Sequence, residues 1–307
     1  TNDNAIGTRS VTTATRESIM PAITTIGPGA IGGLIAARLA LDDANRVTIA
    51  ARTPFDKLVL ESDEGRTETA PRVLTAPEQA GPADWVLVAT KAYDSESAAA
   101  WFARALRPDT RVAVLQNGVN HVERFSAWLP PEQIVPVIVD CPTERLAPGH
   151  IRQRGPLTLT VPATSAGHAF TGLFARSGAR CETREDFTTM AWWKLCLNAA
   201  GVVNALTLQP AGIANDPLAA GLMRRIVDEA AAVGRAEGAE LAPDIADEVV
   251  GIYREQPSDS VNSLLADRLA GRPLEIDLRN GVIVERGRRH GIPTPYNDMA
   301  VSLLKID

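Results

Sequence analysis

The chain has 307 residues, enough for two domains, with 45% hydrophobic and 22% charged residues, an ordinary balance for a buried core. A formal charge of -6 without any basic tract argues against a nucleic-acid partner, and the longest apolar runs, such as Trp85–Ala89 and Val135–Val139, are far too short to span a bilayer. Cys141, Cys181 and Cys196 are widely separated and lack CxxC spacing, and the four histidines are scattered, so a disulfide framework and a metal enzyme are both disfavoured. These features describe a soluble protein of a reducing compartment, expected in the cytoplasm.

Residues 1–20 read as a flexible extension or tag. Thr1 to Glu17 is rich in Thr, Asn and Arg and has no apolar periodicity, and Met20 directly precedes the first strand-like run. From Ala22 to about Thr183, strand and helix signals alternate. The spacing predicts strands at Ala22–Ile26, Val47–Ala51, Trp85–Thr90, Val112–Gln116 and Ile134–Val139. Helices are predicted at Ala30–Leu41 and Asp94–Leu106. Ile151–Arg154 and Leu157–Val161 flank Gly155-Pro156, a turn that suits an antiparallel hairpin at a sheet edge. After Arg184 only helical spacing remains: Met190–Leu206, Leu218–Glu237, Pro243–Arg254, Ser263–Ala270 and Glu275–His290, punctuated by Pro and Gly. The expected fold is α/β: a Rossmann-type doubly wound parallel sheet over residues 21–185, then an all-helical domain over 186–307.

Gly27, Gly29 and Gly32 form G-x-G-x-x-G directly after the first strand and at the start of the first helix. In that context Gly27 allows the tight turn, Gly29 the approach of a pyrophosphate, and Gly32 close helix–strand packing. Ala30 and Ile31 place backbone N–H groups at the helix N-terminus. The second strand ends in Ala50-Ala51-Arg52-Thr53, with no carboxylate before Asp56. Arg52 is therefore a candidate contact for the 2′-phosphate of NADP, against the plainer reading of a solvated surface arginine.

Lys91 and Asn117 follow strands at the ligand-binding edge of such a sheet, but a loop lysine and an Asn-Gly turn would look the same. His121 and Glu123 read as a solvated first helical turn. Lys194 and Asn198 share one face of the otherwise apolar helix Trp192-Trp193-Lys194-Leu195-Cys196-Leu197-Asn198. Lys194 is either a proton donor or a lysine snorkelling to solvent.

Several of these segments together resemble the ketopantoate reductase family. They are the GPGAIGG loop, Thr90-Lys91-Ala92, Leu115-Gln116-Asn117-Gly118-Val119, the helix WWKLCLNAA, Asn262-Ser263-Leu264-Leu265-Ala266-Asp267, Gly271-Arg272-Pro273-Leu274-Glu275-Ile276-Asp277, Asn280-Gly281 and His290-Gly291-Ile292-Pro293-Thr294-Pro295. The likeness runs from Ile23 to about Leu304. It implies NADPH-dependent reduction of 2-dehydropantoate in pantothenate and coenzyme A biosynthesis, with Lys194 as general acid and Glu275 orienting substrate and lysine. By the same resemblance Asn198 and Ser263 hold substrate, Asn117 and Lys91 line the nicotinamide end of the cleft, and Arg52 contacts the 2′-phosphate.

The chain departs from the family pattern at Asn204, which comes six residues after Asn198 and so leaves that helical face, and at Ser260, where the family carries an Asn. Both touch substrate recognition rather than hydride transfer. A related NADP reductase of another 2-oxo or β-hydroxy acid, and a non-catalytic NADP sensor, stay open as alternatives, as does a homodimer.

Overall fold

A computed structural model describes residues 20–306, so the extension expected over 1–20 lies outside the described residues except for Met20. The chain opens with β1 (Ala22–Ile26) and α1 (Ala30–Ala40), followed by β2 (Arg46–Ala50). No helix joins β2 to the next parallel strand of the main sheet, contrary to simple strand–helix alternation. An antiparallel hairpin of β3 (Leu58–Ser62) and β4 (Gly65–Thr69) makes that crossing and delivers β5 (Arg72–Leu74).

Then come β6 (Trp85–Val88), α2 (Ser95–Ala99), α3 (Phe102–Ala105), β7 (Arg111–Val114), α4 (His121–Phe125) and β8 (Ile134–Pro136). Six of these strands form one all-parallel sheet in the order β5-β2-β1-β6-β7-β8. β1 and β6 are buried at every position, which a parallel sheet covered on both faces requires. Leu34, Ile35 and Leu39 of α1 cover one face; Ala98, Phe102 and Phe125 of α2, α3 and α4 cover the other.

Three predictions for this half need correction. The helix expected over Asp94–Leu106 is two short helices after a 3-10 turn at Ala92–Asp94. Trp101 and its neighbour Phe102 are both buried, and the backbone tightens there to an i→i−3 bond from Trp101 N to the Ala98 carbonyl, 3.1 Å. The run Ile134–Val139 is not one strand: it changes sheets after Pro136, whose ring nitrogen has no proton to donate, and continues as β9 (Ile138–Asp140).

The third correction is the hairpin around Gly155-Pro156, which does not form. β11 (His150–Gln153) pairs with β10 (Thr143–Ala147) and β3, in a four-stranded sheet that packs on α1. β12 (Thr158–Pro162) pairs with β9 and with β13 (Arg180–Arg184), the strand that follows α5 (Ser165–Leu173). Fully buried Ile151 is held beneath Gly33 of α1, while Leu159 and Val161 pack with Phe170. The two strands thus bury their apolar faces against different partners.

Among the described residues no strand follows Arg184. The helices are α6 (Phe187–Ala200), α7 (Val202–Thr207), α8 (Pro217–Ala236), α9 (Ile245–Glu255), α10 (Ser263–Leu269), α11 (Asn280–His290) and α12 (Pro295–Lys305), the last of them unforeseen. α8 is capped at Asp216, whose carboxylate accepts from the Leu218 and Ala219 N–H groups, and Met223, Ile226, Val227 and Ala230 form the centre of this core. The helix expected over Met190–Leu206 breaks at Gly201. A side chain there would press on the Tyr253 hydroxyl, which donates to the Leu197 carbonyl.

Candidate active site

In the main sheet the strand order reverses at β1, so the crevice beyond the carboxyl ends of β1 and β6 is where an open α/β sheet takes a ligand. Gly27 sits there at φ +85°. A Cβ on it would lie within 3 Å of Thr90, the residue two past β6, so only glycine fits the turn. A Cβ on Gly32 would come 2.2 Å from the Gly27 carbonyl oxygen, which holds α1 tight against the loop. Gly29, the N-cap of α1, has open space where its side chain would be, and the first turn holds no acidic residue.

The N–H groups of Ala30 and Ile31 open the helix without intrahelical partners. That combination of open space and free donors fits a dinucleotide pyrophosphate. Arg52, 89% exposed, leaves the end of β2 and meets Asp94 at 3.3 Å across the same edge.

Behind this edge a buried polar cluster ties the loops after β6 and β7. The Gln116 amide donates to Thr90 Oγ1 (3.1 Å) and Ser95 Oγ (3.2 Å), and its oxygen accepts from Arg124 Nη1 at 2.7 Å. Arg124 Nη2 also donates to the Asn117 carbonyl, 3.1 Å, leaving the Asn117 side chain unengaged among the described residues. Burial pulls Arg124 down to about 10, against the pull of Glu275. His121 is not in a solvated turn as expected. It is 3% exposed, its ring Nε2 lies 2.7 Å from the Gln116 carbonyl oxygen, and burial with the nearby Arg124 charge pushes it down to about 4. Glu123 does face solvent, and pairs with Arg286.

The helical part meets this edge through Lys91. Its Nζ donates to Asp267 Oδ2 (2.8 Å) and Glu275 Oε2 (2.9 Å), while Glu275 Oε1 accepts from the Ala92 N–H at 3.0 Å. Burial works against the ammonium charge, but the two carboxylates outweigh it and raise the Lys91 pKa. Asp267 stands one helical turn after Ser263 on α10, a helix capped by the Asn262 side chain.

Lys194 stands on α6 with Asn198 one turn later. Its Nζ meets Asp140, the last residue of β9, at 2.5 Å. Arg279 closes the circuit: Nη2 donates to Ser263 Oγ at 2.6 Å and Nη1 to the Asn198 carbonyl at 3.3 Å. Lys91 thus joins Glu275 to Asp267, and Arg279 joins Ser263 to the Asn198 carbonyl; α10, which carries both Ser263 and Asp267, connects the two pairs. Glu275 is bonded to Lys91, not to Lys194 as the resemblance implied.

A hollow of about 420 Å³ bordered by Tyr93, Asn120, Arg124, Glu275 and Leu278 opens beside this junction. A larger one, about 640 Å³, lies at the opposite end of the sheet around Ala22, Arg46 and Arg72, and none of the candidate residues borders it. Asn204 is buried and donates to the Gln209 carbonyl, 3.0 Å, away from the cleft.

Sequence reasoning assigned no role to Asp267, Gln116, Arg124, Asp140 or Arg279. Only Asp267 carried a signal, its i+4 spacing from Ser263. No group of three or more His, Cys, Asp or Glu among the described residues is placed to hold a metal, and no described helix is long and apolar enough to cross a membrane.

The family model described as ketopantoate reductase PanE/ApbA matches residues 23–166, and its C-terminal counterpart matches residues 186–306. A curated relative, 2-dehydropantoate 2-reductase of Caulobacter vibrioides, is 52% identical over 285 residues, covering 93% of this chain and 98% of the relative. The solved PanE/ApbA family ketopantoate reductase of Ralstonia eutropha is 31% identical with TM-score 0.85, covering 92% and 97% of the two chains. A dimeric ketopantoate reductase of Staphylococcus aureus shares the fold at 22% identity and TM-score 0.83, covering 92% of this chain and 97% of that one.

Proposed function

The chain belongs to the ketopantoate reductase family, and from that membership we propose that it reduces 2-dehydropantoate to pantoate with NADPH in the cytoplasm, as a step toward pantothenate and coenzyme A. The observation that supports the reading is that Lys91, just past the end of β6 beside the glycine-lined crevice, bonds both Glu275 and Asp267 of the helical part, and Asp267 lies one turn from Ser263 on α10. We divide the chain into a cofactor domain over residues 21–185 and a substrate domain over 186–307. Free Cys141, Cys181 and Cys196 fit a reducing compartment, and a homodimer is part of the same proposal.

Gly27, Gly29, Ala30, Ile31 and Gly32 would cradle the pyrophosphate, Arg52 would bind the 2′-phosphate, and Asn117 and Lys91 would border the nicotinamide. When bound, NADPH supplies the hydride that the substrate carbonyl carbon accepts. Lys194, as an ammonium, would stabilise the charge that builds on the carbonyl oxygen and give it a proton, completing the alcohol. Asn198 and Ser263 would hold the oxo acid, and Glu275, fixed by Lys91 and the Ala92 N–H, would accept from a substrate hydroxyl. The cleft between the two parts would exclude water and set the hydride distance.

The test is steady-state NADPH oxidation with 2-dehydropantoate beside pyruvate, 2-oxoisovalerate and acetolactate. 2-Dehydropantoate should give the highest kcat/KM. A higher value for another oxo acid replaces the substrate, and NADPH binding without turnover of any of them would point to a sensor.

A further inference from the structure

Arg279 lies between the 3-10 turn Ile276–Leu278 and α11 and is only 3% exposed. No carboxylate neutralises it directly among the described residues. Asp267 is bonded to Lys91 and Arg272, and Glu275 to Lys91 and the Ala92 N–H. Its Nε has no partner, and burial lowers its pKa. A buried guanidinium that bonds no carboxylate, and gains from carboxylates only the longer-range pull of Glu275 and Asp267, is costly to keep, so its position calls for a role beyond packing.

Its two bonds point to that role. Nη1 grips the Asn198 carbonyl of α6, one turn beyond Lys194, and Nη2 grips Ser263 Oγ at the start of α10. One planar fork thus sets the spacing of the helix bearing the proposed proton donor against the helix bearing the proposed substrate serine. It also sets the polarity of Ser263. A guanidinium can only donate, so the serine oxygen must accept from it, and the hydroxyl proton is turned elsewhere. Ser263 is exposed and donates to nothing among the described residues. Its O–H is therefore available as a donor, strengthened by the cation bonded behind it.

We propose that Arg279 is a positioning residue for substrate: it fixes Ser263 as a hydrogen-bond donor toward the carboxylate of a 2-oxo acid, and its charge strengthens that donor. A carboxylate is the group of such a substrate that gains most from a donor backed by a cation. The inference rests on the oxo-acid reading above, and wild-type turnover across the oxo-acid panel tests that reading separately.

The experiment is a double-mutant cycle of Ser263→Ala and Arg279→Met, read on the best oxo acid of the panel. NADPH affinity and melting temperature are measured on the same preparations. Arg279→Met should raise the oxo-acid KM by about 10- to 100-fold, the range for a hydrogen bond to a charged group, with kcat and NADPH affinity nearly unchanged. In the Ser263→Ala background the same change should add less than about threefold, because its target is gone.

Should Arg279→Met fail to fold, Arg279→Lys keeps the charge but cannot bridge both acceptors. It should raise KM by a smaller factor and remain non-additive with Ser263→Ala. Additive effects, or a fall in stability or kcat with KM unchanged, would overturn the proposal.

Discussion

Replacing Lys194 by Ala separates catalysis from stability, because the structure sets very different costs for the two. The side chain is 21% exposed and its partner Asp140 is 67% exposed, so the ion pair belongs to the surface class worth about 0–1 kcal/mol. Adding the packing of the aliphatic stem, folding should weaken by no more than about 2 kcal/mol. A general acid contributes about 10²–10⁴-fold to rate, which is about 3–5 kcal/mol of barrier, and the stabilisation of the developing oxyanion is lost with it.

The variant should therefore melt within a few degrees of wild type, bind NADPH normally and lose at least about 100-fold in kcat. Asp140→Asn is the companion. It breaks the same ion pair but leaves the amine, so it should reproduce the stability change while kcat stays within about threefold of wild type. Thermal melts, NADPH fluorescence titration and kcat on the same preparations give all three quantities. If Lys194→Ala turns over within about threefold of wild type while binding NADPH normally, the barrier has changed by under about 1 kcal/mol, and Lys194 is not the acid.

Arg52→Ala should raise the NADPH KM by about 5- to 30-fold and leave the NADH KM unchanged. The effect is modest because the guanidinium is in water and already shares Asp94, which a 2′-phosphate must displace; an equal rise for both cofactors would discard the contact. Gly32→Ala drives a Cβ against the Gly27 carbonyl oxygen and should cost about 1–3 kcal/mol in urea titrations as well as NADPH affinity, whereas unchanged binding would mean that the loop can shift. His121 is held neutral down to about pH 4, so below about pH 6.5 the unfolded chain binds the proton that the folded chain refuses. Stability should fall as pH drops from about 6.5 to 4, by about 3 kcal/mol, and His121→Gln should flatten that slope in urea titrations across the range; an unchanged slope would assign it to other groups.

Local chemistry was legible in the sequence wherever one segment decides its own conformation. Glycines 27, 29 and 32 between an apolar run and a helical stretch mark a tight strand–helix turn, and the structure gives Gly27 and Gly32 a steric reason while Gly29 faces open space. The long helices after Arg184 were likewise readable, since an apolar stripe at 3.6-residue spacing states both the helix and its buried face. Pairing was not readable. Ile151 and Leu159 have the same period-2 pattern, yet they join different sheets, because alternation says that a strand has a buried face without saying what covers it. Pro136 could not by itself announce a change of sheet, nor Trp101 a break in a helix, until the packing around them was known.

The polar groups followed the same division. Motifs singled out Lys91, Lys194, Ser263 and Glu275 as candidates, but Glu275 bonds Lys91 from 184 positions away in sequence, and Lys194 reaches Asp140 instead. Arg279 looks like any helix-entry arginine. Only the fold buries it against Ser263 and the Asn198 carbonyl, since the partner of a charged side chain is set by the packing of distant elements and not by its neighbours in the chain.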